Sequence, residues 1–330
     1  MFQHLTQFLG GDATMAVLFL FSVGLLVTSE SLQAAFTGYK ALYDSEFAAV
    51  TPQWSRVAME APSNSDGEIY NWLGSVPAMK EWKDSRVVAG LLDHNYTIRN
   101  KTWESTIGVK RDTFEDDKLG IINPRVRELA QEAARHPDEL VTTLLTANGL
   151  CYDGQNFFDT DHSEGDSGAQ SNITQTGVTL ATVTADFRTA RAAMINRKDD
   201  RGKPLIKNLG QDATGAGPGL FLVMCPPALQ GVFEELMNAT MLGGGNTNVL
   251  KGAFSLWVNS YLSDTGDWYL FYVGSAVRPL IFQNRVRPEF DQLTNPSMSD
   301  RVFMLNEFLY GVRARYNAGY GLWQYAEKVA

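Results

Sequence analysis

The chain is poor in reactive sulfur and imidazole: its 330 residues include only two cysteines, Cys151 and Cys225, and four histidines. Two thiols 74 positions apart supply neither a disulfide framework nor a multi-cysteine zinc cluster, and both read as reduced, ordinary thiols. Positive charge is also scarce. With 28 basic against 37 acidic residues the net charge is -9, the wrong sign for a protein whose main task is to grip nucleic acid through its phosphates. Long apolar runs are missing too. The run from Ala16 to Val27, interrupted only by Ser22 and Gly24, is twelve residues long, whereas a spanning helix needs ~20. No Lys or Arg precedes Lys40, so the basic segment of a secretory signal is lacking. The run reads as a buried N-terminal segment or an upstream extension, with Met15 and Val27 both conceivable starts, and no membrane partner is expected. The 29 glycines and 12 prolines follow no triplet period, and no longer repeat is evident, which excludes fibrous and solenoid architectures.

What is present is aromatic and extended. A hydrophobic share of 44% with 18 Phe, 12 Tyr and 7 Trp suffices for one large core or two smaller ones. After Thr28-Ser29-Glu30-Ser31, the spacing of Leu32, Ala35, Phe36, Tyr39, Leu42 and Tyr43 predicts an amphipathic helix over 28–46. Residues 51–67, broken by Pro52 and Pro62, read as an extended arm and linker. Trp103, Ser105, Ile107 and Val109 alternate with Thr102, Glu104, Thr106 and Lys110, the pattern of a half-exposed strand. With IYNWLG at 69–74 and NYTI at 95–98 this suggests a long hairpin carrying Trp72, Trp82 and Trp103, and exposed aromatics on such a hairpin need a covering partner.

The acidic run Glu115-Asp116-Asp117 precedes a helical pattern through Val126, Leu129, Ala130, Ala133, Leu140, Val141, Leu144 and Leu145. The run reads as a set of helix-dipole partners. Pro137 predicts a kink or break near His136. Residues 163–177 read as a mobile loop. An α/β segment follows, with a helix over 186–195, a charged turn over 197–204, a buried strand at 220–224 and a helix over 226–237. Strands are expected at 254–258, 268–273 and 277–282. From Val302 to Tyr316 the chain alternates, Phe308, Tyr310, Val312, Ala314 and Tyr316 lining one face.

Motifs of reactive chemistry are weak. Gly165-Asp166-Ser167-Gly168 matches the tetrapeptide around the nucleophile of chymotrypsin-like proteases, but strong helical patterns upstream contradict the two β-barrels that mechanism uses. Asp153, Asp159, Asp161 and His162 in CYDGQNFFDTDH have ligand chemistry for a hard divalent ion, yet a calcium loop counted from Asp159 puts Glu164 at its glycine position and Gln170 at its bidentate glutamate. Turn-forming carboxylates are the default explanation of the cluster; a metal-dependent hydrolase using Asp159, Asp161 and His162 is the alternative reading. Cys151 and His162 define no thiolate pair by spacing alone. Gly202-Lys203 is followed by Pro204 and has Arg197 where a P-loop needs glycine, and GAGPG at 215–219 lacks dinucleotide spacing. No catalytic residue, cofactor or metal site is assigned. Arm-like and hairpin segments recover their ordering entropy only by burying surface on neighbours, which favours assembly.

Six stretches resemble the major head subunit of Mu-like tailed bacteriophages: YNWLGSVPAMKEW (70–82), YTIRNKTWESTIGVKRDTFEDDKLGI (96–121), HPDELV (136–141), CYDGQNFFDTDH (151–162), RPLIFQNRVRPE (278–289) and FMLNEFLYGVRARYNAGYGLWQ (303–324). They are collinear and cover the chain from about Thr28 onward; residues 1–27 match nothing in the family. The resemblance implies an α+β, Hong Kong 97-like phage capsid fold. It places an N-terminal extension and arm at 1–67, an E-loop at 68–106, and a peripheral domain at 107–175 whose spine helix is 118–148. An axial domain would follow at 176–261, peripheral strands at 262–318 and a C-terminal axial segment at 319–330. It further implies a non-enzymatic virion protein, assembled in the host cytoplasm as hexamers and pentamers into an icosahedral head enclosing packaged double-stranded DNA. Scaffold, portal and decoration proteins are the partners implied. Within that frame Trp72, Trp82 and Trp103 are expected to pack on an adjacent subunit. Arg99, Lys101, Lys110 and Arg111 are expected to pair across subunits with Glu115, Asp116 and Asp117. Lys80, Lys83 and Lys101 read as solubilising hairpin lysines, and no cross-link is inferred.

Overall fold

A computed structural model describes residues 27–71, 73, 96–117, 120–175, 177–206, 220–243, 245–295 and 297–330. Trp72, Trp82, Lys80, Lys83, residues 16–26 of the apolar run and the glycine stretch 215–219 lie outside them. In chain order the structure has α1 (Ser29–Ala49), a 3-10 turn (Trp54–Arg56), β1 (Ala58–Pro62), β2 (Gly67–Ile69), β3 (Thr97–Arg99), β4 (Lys101–Lys110), α2 (Arg111–Glu115) and α3 (Ile122–Ala147). There follow β5 (Ile173–Thr174), α4 (Leu180–Asn196), β6 (Phe221–Cys225), α5 (Gln230–Asn238), β7 (Met241–Leu242), β8 (Asn246–Thr247), β9 (Ser255–Val258) and β10 (Trp268–Tyr272). The last elements are β11 (Leu280–Leu293), α6 (Asp300–Leu305), β12 (Glu307–Tyr320) and β13 (Ala326–Val329). Contacts divide the chain into two compact units.

The first unit comprises the described residues up to Val50, Glu104–Ala134 and Pro288–Arg313. Its core joins Leu32 and Tyr43 of α1 with Val109, Phe114, Val126, Leu129, Phe290, Phe308 and Tyr310. Helix α1 starts where Thr28 and Ser31 form a reciprocal capping box, satisfying two of the backbone donors that a helix start leaves open. Its apolar stripe meets the strands through aromatic stacking, Tyr43 on Phe290 at 5.0 Å and Tyr39 edge-on to Tyr310 at 5.3 Å. The acidic run acts at a helix start as expected: Asp117 accepts from the backbone N–H of Ile121 at 2.6 Å and of Ile122 at 3.4 Å.

The second unit comprises Thr51–Trp103, Arg135–Arg287 and Ala314–Ala330. Its five-stranded sheet has the order β5-β13-β10-β6-β9, with β10 antiparallel to β6 and β13, and β6 parallel to β9. All five residues of β6, FLVMC, are buried, each large side chain contributing about 1.5–3 kcal/mol of transfer free energy. Helix α4 lays Val183, Phe187, Ala190 and Met194 into the same core. Strands β2 and β3 pair antiparallel from Gly67↔Arg99 to Ile69↔Thr97, continued by the bond from Tyr70 N–H to the Tyr96 carbonyl at 2.8 Å. Strand β1 runs parallel to β11 from Ala58↔Leu280 to Pro62↔Asn284, in a four-stranded sheet of order β1-β11-β12-β4.

Three expectations meet a different arrangement. Helix α3 continues from Ile122 to Ala147 with Pro137 inside it, so of the kink or break expected near His136, the break into two helices is absent. Proline removes one internal hydrogen bond, while buried side chains hold the helix on both sides of it: Val126, Leu129 and Ala130 before, Val141 and Leu145 after. Residues 302–305, expected to begin a strand, belong instead to the short helix α6, which Asn306 ends in the left-handed conformation at φ 51°, a geometry asparagine tolerates. The described residues of the segment 163–177 are tied down rather than loose: Glu164, Ser167 and Asn172 are buried, and His162 and Gln170 exchange backbone bonds at 3.0 and 2.8 Å.

Candidate assembly surfaces

The polar cluster suspected of chemistry turns out to be a packed network of the second unit. His162 is fully buried, its Nδ1 2.6 Å from Asp153 Oδ2, and its ring stacks on Trp323 at 3.9 Å with 7° between planes. Beside it, Glu164 Oε1 accepts from Tyr152 Oη at 2.6 Å, Trp323 Nε1 at 2.8 Å and Gln324 Nε2 at 2.8 Å. Burial pushes the Tyr152 phenol far up, keeping it a donor. Asp159 accepts from the N–H of Thr160, and Asp161 is exposed. Among the described residues no group of three His, Cys, Asp or Glu could hold a metal, so the hydrolase reading of Asp159, Asp161 and His162 has no support. Ser167 is equally committed to structure: its Oγ accepts from Glu164 N–H and donates to the Gly168 carbonyl. Gly165 of the same tetrapeptide has φ +52°, and a Cβ there would lie 2.3 Å from the Asp200 carbonyl oxygen, so this is a tight turn that only glycine fits.

The chain end is fastened in the same way. Arg197 donates to the carbonyls of Gln324 at 2.8 Å, Ala326 at 2.9 Å and Ser171 at 3.2 Å, and pairs with Glu327 of β13. Burial lowers the Arg197 guanidinium to about 9, and the Glu327 carboxylate beside it keeps it charged at neutral pH. Both thiols are buried, Cys151 well above its usual range and Cys225 pushed up to about 12, which makes them inert.

The residues expected at subunit contacts are distributed as follows. Trp103 is half-buried in the second unit: its indole N–H donates to the Tyr316 carbonyl at 3.0 Å, its ring lies 4.4 Å from that of His136, and Lys101 Nζ stands 6.0 Å above it. Arg99 and Lys101 point to solvent on and beside β3, as does Lys110 at the end of β4. Arg111 Nε pairs with Glu115 of its own chain at 2.9 Å, Asp116 is exposed, and Asp117 is the cap of α3.

A surface that the strand reading of 302–316 missed stands out on the first unit. Met298, Phe303, Met304 and Leu305 are 74%, 73%, 74% and 58% exposed, a cluster of large apolar side chains at the tip between β11 and β12. Soluble monomers rarely leave such groups together in water. The available signal was the run Phe303-Met304-Leu305, three apolar residues in succession where an alternating strand would place a polar one. In the same unit a pocket of about 380 Å³ is lined by Val27, Leu32 and Phe308 with Gln292, Asn295 and Arg111 among its polar residues.

These features belong to a known architecture. The procapsid subunit of bacteriophage JBD30 is 29% identical, with a TM-score of 0.56 covering 92% of this chain and 76% of that one. A virus-like particle from Pyrococcus furiosus shares the fold at 9% identity, with a TM-score of 0.52 over 90% of this chain and 99% of the other. The fold is that of the Hong Kong 97-like phage capsid proteins, mixed helix and sheet as expected. In sequence, the major capsid protein of Escherichia phage Mu is 30% identical over 307 residues, 92% of this chain and 75% of that protein. The Mu-like prophage FluMu major head subunit of Haemophilus influenzae is 28% identical over 305 residues, 92% and 74% of the two chains. The family described as Mu-like prophage major head subunit gpT matches residues 32–183 and 263–330, and the chain belongs to it. It is thus a phage major capsid protein, a structural component of the head shell. No helix among the described residues is long and apolar enough to cross a membrane.

Proposed function

We propose that this subunit acts mechanically and without catalysis, closing into hexamers and pentamers that tile an icosahedral head around packaged double-stranded DNA. Assembly takes place in the host cytoplasm with a scaffold and a portal, and decoration proteins join the finished shell. The DNA is enclosed rather than read, in keeping with a net charge of -9. In this reading residues 28–67 are the arm, 68–106 the E-loop, to which β2 and β3 belong, 107–175 and 262–318 the peripheral domain with α3 as its spine, and 176–261 with 319–330 the axial domain. Trp72, Trp82 and Trp103, with Arg99, Lys101, Lys110, Arg111, Glu115, Asp116 and Asp117, contribute to contacts between subunits.

The observation that carries the proposal is the exposed apolar cluster at 298–305 in a chain of this family, since such a surface is stable in water only when covered. Negative-stain electron microscopy of the purified protein, expressed alone and with a neighbouring scaffold gene, tests it. Shells, tubes or hexameric rings are expected. Small dispersed particles under both conditions would overturn it.

A further inference from the structure

We infer that the tip helix α6 of one copy docks into the α1-side pocket of the first unit of a second copy, Phe303 and Met304 entering between Leu32 and Phe308. The inference rests on the shell-forming role and names the surfaces that would serve it. A knob and a socket of matching chemistry occur on the same unit. The knob is the consecutive trio Phe303, Met304 and Leu305 together with Met298, all more than half exposed. The socket has an apolar floor, Val27, Leu32 and Phe308, and a polar rim of Gln33, Gln292, Thr294, Asn295 and Arg111. That pattern, apolar centre and hydrogen-bonding edge, is the anatomy of a protein interface.

Charge agrees with the pairing. Among the described residues Arg111 is the one charged residue lining the socket; there its Nε is taken by Glu115, and its two terminal nitrogens make no bond. On the knob, Arg301 is compensated by Glu307 at 3.5 Å, while Asp300 has no ion pair or hydrogen bond among the described residues. Docking therefore brings a carboxylate towards a guanidinium whose terminal donors, like that carboxylate, have no partner among the described residues. Because knob and socket are different patches of one surface, the contact is heterologous and propagates head to tail until it closes into a ring. Four side chains cover on the order of a few hundred Å², below the ~800 Å² per partner of a stable pair. A single contact is accordingly weak, and it becomes effective only when repeated around a closed assembly.

The test uses two single-cysteine variants, Phe303→Cys and Asn295→Cys, both at exposed positions, co-assembled and then oxidised. The native thiols are buried and give no background. A disulfide needs Cα atoms within ~7 Å, so a dominant 303–295 cross-linked dimer, absent when either variant is assembled alone, is the expected result. Intact shells without that product overturn the inference and leave the capsid role standing, whereas absence of shells from the unmodified protein overturns the capsid role itself. As a second measurement, the double variant Phe303→Ser with Met304→Ser should keep the circular dichroism and melting of the parent while raising the concentration needed for assembly at least about tenfold. An unchanged threshold overturns the inference. An unchanged threshold with loss of a co-expressed phage protein from the shell reassigns the patch to that protein.

Discussion

In the first unit the ion pairs among the described residues lie at the surface, Arg125 with Glu128 at 2.8 Å and Arg127 with Glu46 at 2.9 Å, and apart from Ile121 the large apolar side chains left in water, Met298, Phe303, Met304 and Leu305, fall at 298–305. The second unit has surface pairs as well, such as Arg287 with Glu60 at 3.6 Å, but it alone encloses charge among the described residues. It encloses Arg197 with Glu327 and His162 with Asp153, and its exposed apolar residues, Ile69, Leu150, Val178, Met241, Val249 and Tyr261, are dispersed along the chain. Buried polar groups are costly unless fully paired. A region that holds such networks tolerates few alternative packings. A region held by apolar stacking and surface charge keeps its specificity, and its stickiness, on the outside. For a shell subunit, the contrast suggests one unit built to keep its own shape and one built to be completed by neighbours.

Removing one member of a buried pair should separate the two regions most sharply. Glu327→Ala leaves Arg197 enclosed without its carboxylate, a loss of about 3–5 kcal/mol. Arg125→Ala on the exposed pair costs about 0.2–0.5 kcal/mol. Denaturant unfolding, read with hydrogen exchange on β13 and α3, measures both; costs equal to within 1 kcal/mol would break the comparison. The double replacement Arg197→Met with Glu327→Leu should recover only part of the loss, because the carbonyls of Ser171, Gln324 and Ala326 lose their donor.

A gentler contrast needs only one oxygen atom in each unit. The hydroxyl of Tyr152 donates to Glu164 at 2.6 Å, and Tyr152→Phe should destabilise the second unit by about 1.5–3 kcal/mol, as for a bond to a charged group. In the first unit the Tyr310 hydroxyl is buried with no partner among the described residues, so Tyr310→Phe should be neutral or stabilising by up to about 1 kcal/mol. Thermal melting of the two variants beside the parent decides; a destabilised Tyr310→Phe would mean that the first unit also relies on an internal polar contact.

The comparison also explains which parts of the molecule could be read from its residues. Helix α1, strand β4 and the alternating stretch of β12 were legible because a face that is buried more than the other leaves a period in the sequence, whereas β6 and β10, buried on both faces, were legible as short continuous apolar runs. Phe308, Tyr310, Val312, Ala314 and Tyr316 are buried as that period requires. The region 150–172 was not legible in the same way. Asp153, His162, Glu164 and Asn172 look like turn residues, and their burial depends on Trp323, Gln324 and the chain end more than a hundred positions later. No local pattern reports such partners. At 300–305 the difficulty was different: three successive apolar residues fit a strand end or a helical turn equally well, and Asn306 in the left-handed conformation decided between them. That single turn changes the surface, since it presents Phe303, Met304 and Leu305 to solvent together.

The smallest effect concerns a charge that is organised without being buried. Glu68, just inside β2, gathers the turn before it: its Oε1 accepts from Ser63 Oγ at 2.9 Å, Asn64 N–H at 2.9 Å, Ser65 N–H at 3.1 Å and Ser65 Oγ at 3.0 Å. The backbone bond from Asn64, then those from Ser63 and Ser65, hold this carboxyl down to about 2 against an ordinary value of 4.5. A depressed folded-state value means that the ionised form binds the turn. Its contribution is complete above about pH 4.5 and drains away as the pH falls towards 2. At pH 3 Glu68 is therefore still ionised in the folded protein, and exchange of the Asn64 and Ser65 amides should be protected beyond the ordinary pH dependence of unstructured amides. Glu68→Gln should lose most of that extra protection at every pH from 3 to 7, with no measurable change in the melting of either unit. If instead the variant melted several degrees lower, an exposed carboxylate of the second unit would matter as much as its buried ones, and the division between enclosed and surface charge would have to be drawn elsewhere.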